Sequence, residues 1–152
     1  MEVWEDARVP IDPEELRRSE VFSALSTEQL SKLAEVAQVT EHTSGETLTE
    51  EGAIGYRFYL LLGGSAIVER GGETVAIIKA GDFVGEIALL GGGRSTATVR
   101  CEEATSCLTI RREEFWGVLE AEPAIALRIL EVVARRLERE LRPDFRANLP
   151  GG

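Results

Sequence analysis

Seven short runs of strand-forming residues follow one another with glycine standing between them, and this punctuation limits the fold more than any other feature of the chain. Strands are expected at Val39–Glu41, Glu46–Leu48, Phe58–Leu62, Ser65–Arg70, Thr74–Lys79, Thr96–Arg100 and Ala104–Ile110. Gly45, Gly52, Gly55, Gly63-Gly64, Gly71-Gly72 and Gly81 separate them. The Gly71-Gly72 pair, set directly between two runs, is a short-loop hairpin signal. Strands this short and this numerous close most readily into a double-sheet β-roll or jelly-roll.

Both ends of the chain read differently. Residues 1–13 carry charges and two prolines without a period and are expected to form an arm. The segment from Glu14 to Gln38 suits two helical pieces, the second opened by Ser26 as N-cap with Gln29 three residues on, and with Leu30, Leu33, Ala34 and Ala37 at helical spacing. Beyond the strands, Glu113–Glu120 suits a short helix stopped by Pro123. A longer helix is expected from about Ala124 to Leu141, with Ile125, Ile129, Val132, Val133, Leu137 and Leu141 on one broad face and Pro143 ending it. The expected fold is therefore mainly β with flanking helices, in one domain over residues 14–142, followed by a tail at 143–152.

Several function classes fall away. A net charge of −10 opposes nonspecific attraction to nucleic acid or anionic lipid. No run approaches the about 18 apolar residues of a membrane span, and Met1–Pro10 lacks the order of a signal peptide, so a cytoplasmic protein is expected. Cys101 and Cys107 are too few for a disulfide framework or a zinc site and read as reduced core thiols. His42, the sole histidine, reads as ordinary surface, and no nucleophile–base set accompanies it, so no enzyme and no cofactor are expected.

The stretch Gly81–Arg100, GDFVGEIALLGGGRSTATVR, has an order with a chemical use. Gly85 permits close backbone approach, the start of a short helix offers unpaired N–H groups to an anion, and Glu86 can accept a hydrogen bond from a sugar hydroxyl. This stretch resembles the phosphate-binding cassette of the cyclic nucleotide-binding domain family. The segment EGAIGYRFYLLLGGSAIVE resembles the central hairpin of the same family, and the order helix, roll, helix matches it over roughly Leu16–Leu141.

The resemblance implies that Glu86 takes the ribose 2′-hydroxyl, with Gly85 and the N–H groups of Ile87 and Ala88 near ribose and phosphate. It places the phosphate-binding arginine four residues before Val99, where this chain has Ser95, with Arg94 one residue earlier. Either the glycine-rich loop shifts so that Arg94 still reaches the phosphate, with Ser95 and Thr96 adding donors, or the site has lost its charge partner. The resemblance also implies that the base is covered from the last helix, where Leu127, Leu130, Ala134 and Arg135 are candidates.

The expected function is a non-enzymatic regulatory module that binds a cyclic nucleotide, cyclic AMP ahead of cyclic GMP, and relays occupancy through its C-terminal helices to a protein partner or a second copy. The alternative is the same fold without ligand, used for protein–protein contact. A helix-turn-helix needs more chain than follows Leu141, so DNA binding by this chain alone is not expected.

Overall fold

The computed structural model describes residues 11–85, 91 and 93–147. In chain order these form α1 (Pro13–Leu16), a 3-10 turn (Glu20–Phe22), α2 (Thr27–Ala34), β1 (Ala37–His42), β2 (Thr47–Thr49), β3 (Arg57–Gly63), β4 (Ser65–Arg70), β5 (Glu73–Lys79), β6 (Phe83–Val84), β7 (Thr98–Cys101), β8 (Thr105–Arg111), α3 (Arg112–Ala121) and α4 (Pro123–Ala147). Two four-stranded antiparallel sheets, ordered β1-β8-β3-β6 and β2-β7-β4-β5, make the roll.

Strand alternation divides the core in two. Successive side chains of a strand point to opposite faces, so Phe58 and Leu60 of β3 join the cluster under the helices while Tyr59 and Leu61 fill the inside of the roll. On β8, Leu108 and Ile110 face the helices and Cys107 faces inward. The helical side is completed by Leu16, Phe22, Leu30 and Leu33 from the N-terminal helices and Phe115, Leu119, Ile125 and Ile129 from α3 and α4. Each such side chain, fully buried, contributes about 1.5–3 kcal/mol relative to leaving it in water. The N-terminal helices and α3 and α4 are thereby pinned to one sheet.

The local signals act as the sequence implies. Ser26 Oγ accepts from the Gln29 N–H and Gln29 Oε1 accepts from the Ser26 N–H, a complete capping box. Arg70 pairs with Glu73 across Gly71 and Gly72, whose φ angles are +61° and +81°. A two-residue hairpin turn with both φ positive strains any residue with a Cβ.

Some expectations need correction. Ala37 is the first residue of β1 and not part of a helical face, since α2 ends at Ala34. β6 has only two residues and is too short to leave a periodic signal, and the last sheet strand before β8 starts at Thr98, not Thr96. Helix α4 runs through Pro143 to Ala147: proline removes one N–H, leaving the Arg139 carbonyl without its intrahelical partner, but does not end the helix. Leu137 and Leu141 are each 53% exposed and do not share the buried face of Ile125, Ile129 and Val132. His42 is packed edge-on against Tyr59 and bonded to Thr40 and Glu46, and is not ordinary surface. Both cysteines are free and buried.

Candidate functional site

A cavity of about 200 Å³ opens between the two sheets where β6 leads into the cassette. Thr49 of β2, Val99 of β7, Val68 and Arg70 of β4 and Ile78 of β5 line it from one sheet together with residues 95–97, and Phe83 and Val84 of β6, from the other sheet, line it with Gly85. Arg136 of α4 closes over Phe83, its guanidinium carbon 4.8 Å from the ring centroid. Phe83 in turn stacks on Phe58 at 5.8 Å, and Phe58 packs on Phe22 at 5.2 Å. One aromatic file therefore joins the cavity to the N-terminal 3-10 turn along the helix-facing side of the sheet.

Gly85 lines this cavity with φ +95°, and a Cβ built there would lie 2.3 Å from the Arg57 carbonyl oxygen. The close approach that demands glycine is thus to the neighbouring strand β3. Glu86, Ile87 and Ala88 lie outside the described residues.

Ser95 and Thr96 line the cavity, and Arg94 does not. The reason is a backbone clamp. Ile54 bridges to Arg94, the Ser95 N–H donates to Ala53 O at 2.8 Å, and the Gly52 N–H donates to Ser95 O at 2.9 Å. This fixes the alternation so that Ser95 faces the cavity while Arg94 points away, its Nη1 donating to Gly52 O at 2.7 Å. Thr98 Oγ1 is occupied by the Glu51 N–H at 3.0 Å.

On α4, Leu127, Leu130, Ala134 and Arg135 are exposed and none lines the cavity. The residue of that helix that does is Arg136. One residue is a rotation of about 100° on a helix, enough to exchange a solvent position for the cavity. Arg136 also lies 3.6 Å from Glu140. Sequence reasoning missed Arg70 too, although a signal was there: Ala66 and Val68 face inward, and Arg70 continues their alternation with a cation where an apolar residue belongs. Arg70 Nε donates to Thr96 O at 3.1 Å, tying β4 to the loop before β7.

The cavity walls offer hydroxyls from Thr49, Ser95 and Thr96 and two guanidinium groups. Inside the roll, burial above all, helped by Cys101, pushes the Cys107 thiol up to about 12, which removes the reactive thiolate at neutral pH. Among the described residues no group of three or more His, Cys, Asp or Glu is arranged to hold a metal. No described helix is long and apolar enough to cross a membrane.

Comparison with known proteins bears on the same region. A family model described as cyclic nucleotide-binding domain matches residues 39–122, over half of the chain. The chain is 31% identical over 99 residues to a cAMP-dependent protein kinase regulatory subunit from Hypocrea atroviridis, a match covering 65% of this chain and 21% of that protein. It is 27% identical over 136 residues to the cyclic AMP receptor protein of Thermus thermophilus, covering 86% of this chain and 63% of that one. The chain thus spans less than two-thirds of either relative. The crystal structure of the N-terminal domain of a transcriptional regulator from Streptomyces coelicolor A3(2) superposes with a TM-score of 0.76 at 28% identity, covering 91% of this chain and 98% of that one.

Proposed function

Since the chain belongs to the cyclic nucleotide-binding domain family, we propose that it is a non-enzymatic sensor that binds a cyclic nucleotide, cyclic AMP ahead of cyclic GMP, in the cavity between its sheets. The observation that carries this reading is that the cavity and the last helix share a residue. Arg136 lines the cavity, rests on Phe83 and belongs to α4. The two named relatives, a cAMP-dependent kinase regulatory subunit and a cyclic AMP receptor protein, support cyclic AMP as the first ligand to try. In this reading Glu86 takes the ribose hydroxyl, and Gly85, Ile87, Ala88, Ser95 and Thr96 surround ribose and phosphate.

Occupancy shifts a population between packings of α4 on the roll. A ligand that displaces Arg136 from Phe83 loosens one end of the aromatic file, while Arg139, paired with Glu20 at 2.7 Å, holds α4 to the N-terminal turn. The output surface is the row Leu127, Leu130, Ala134, Leu137 and Leu141, spaced alternately by three and four residues, whose leucines are 53–63% exposed. Such a row is self-complementary and suits a second copy of the chain.

Calorimetric titration with cyclic AMP and cyclic GMP tests the reading. A saturable single-site isotherm with cyclic AMP is expected, and Glu86→Ala weakens it. No heat and no thermal stabilisation up to millimolar ligand with either nucleotide would leave the second reading, a ligand-free protein-interaction module, which the orientation of Arg94 away from the cavity favours.

A further inference from the structure

The register of the cassette removes a cation from the cavity, and β4 supplies one. Ser95 stands where the resemblance places an arginine, and Arg94 is turned out onto the Gly52 carbonyl. Arg70 instead enters from β4, the strand paired with β7 in the same sheet, at the end of the inward row Ala66, Val68, Arg70. We infer that Arg70 is the residue that binds the anionic group of the ligand, in place of the missing cassette arginine; the inference rests on the cyclic nucleotide reading above.

Three observations support it. The first is charge. The chain carries a net −10, yet the charged side chains among the described residues lining this cavity are Arg70 and Arg136, with no carboxylate. A locally positive concavity on an acidic protein concentrates anions at that point. The second is positioning. Arg70 Nε is anchored on Thr96 O, a bond that does not use the two terminal NH₂ groups, and Ser95 and Thr96 line the same cavity as Arg70. A planar fork held by one edge presents the other edge for a bidentate contact, the geometry that suits phosphate oxygens.

The third is the state of the other arginines. Arg94 Nη1 is on Gly52 O, Arg100 pairs with Glu69 at 2.7 Å on the outer face of the same sheet, and Arg136 is engaged with Phe83 and Glu140. Among the described residues, the hydrogen bond to Thr96 O is the contact that holds Arg70. The nearby Glu51 carboxylate accepts from the Gly71 N–H, which orients it toward the hairpin backbone.

The test is a calorimetric titration of the intact chain and of Arg70→Gln, Arg70→Lys and Arg94→Gln, each with cyclic AMP and with adenosine, which shares the base and ribose but lacks the phosphate. Glutamine can still donate to Thr96 O, so the variant removes the charge and keeps the anchor. Arg70→Gln is expected to weaken cyclic AMP by about tenfold or more, the lower end for a charged contact because Arg70 is exposed. The same variant leaves adenosine within about twofold, Arg70→Lys recovers most of the cyclic AMP affinity, and Arg94→Gln matches the wild type. Wild-type affinity for cyclic AMP in Arg70→Gln, or an equal loss for cyclic AMP and adenosine, overturns the assignment of Arg70 and spares the ligand reading. A wild-type chain that does not bind cyclic AMP overturns both.

Discussion

At Gly85 the backbone has φ +95°, and a Cβ would meet the Arg57 carbonyl oxygen at 2.3 Å. Neither problem is relieved by rotating a side chain, because the obstacle is backbone. Gly85→Ala is therefore expected to cost about 2–4 kcal/mol in urea unfolding, from positive-φ strain plus the clash; a loss under 1 kcal/mol would contradict this packing. A second residue-scale prediction concerns acid. Burial raises the Glu46 carboxyl, but the His42 side chain and the Thr43 N–H outweigh it and hold the group below its ordinary value of 4.5. A depressed carboxyl contributes stability that is present above the unfolded value and is lost as pH falls through the folded one. Glu46→Gln should thus lower stability at pH 7 and flatten its decline below pH 4.5, measured by urea unfolding across that range. The displacement of the cassette arginine can be counted in the sequence, because spacing from Val99 fixes Ser95; the direction in which Arg94 points cannot, since it depends on a clamp to residues 52–54 far away in the chain.

At the scale of elements, caps and turns are legible because their causes are local. Ser26 and Gln29 satisfy each other within one turn, so Ser26→Ala should cost about 1 kcal/mol of stability, read from thermal unfolding. Helix α4 is the opposite case. Its period is visible, but two apolar rows are threaded through the same residues, and composition cannot say which row meets the roll. The structure separates them: Ile125, Ile129 and Val132 are buried, while Leu127, Leu130, Leu137 and Leu141 are exposed. The double substitution Leu130→Lys/Leu137→Lys tests the proposed self-association. Sedimentation should find a dimer for the wild type and a monomer for the variant, with the roll still folded because neither leucine is in its core. The continuation of α4 past Pro143 was hidden for a different reason, as a single lost hydrogen bond is tolerated in a helix that tertiary contacts anchor further back.

At the scale of the whole molecule, the two-sheet roll and its flanking helices were readable from glycine spacing and alternation, since many weak signals agreed on one architecture. The cavity was only half readable. Gly85, Ser95 and Thr96 belong to one contiguous stretch, whereas Arg70 and Arg136 reach the same cavity from β4 and α4 and become its neighbours only on folding. Binding of cyclic AMP in this cavity is read out by thermal unfolding of the intact chain with and without 1 mM cyclic AMP. A ligand present at about a hundred times its dissociation constant stabilises the folded state by about 2.7 kcal/mol, which in a chain of this size raises Tm by about 5–10 °C. A rise of that size is expected for the wild type and little or none for Glu86→Ala. An unchanged Tm in the wild type, or the same rise in both proteins, would contradict cyclic AMP binding at this site.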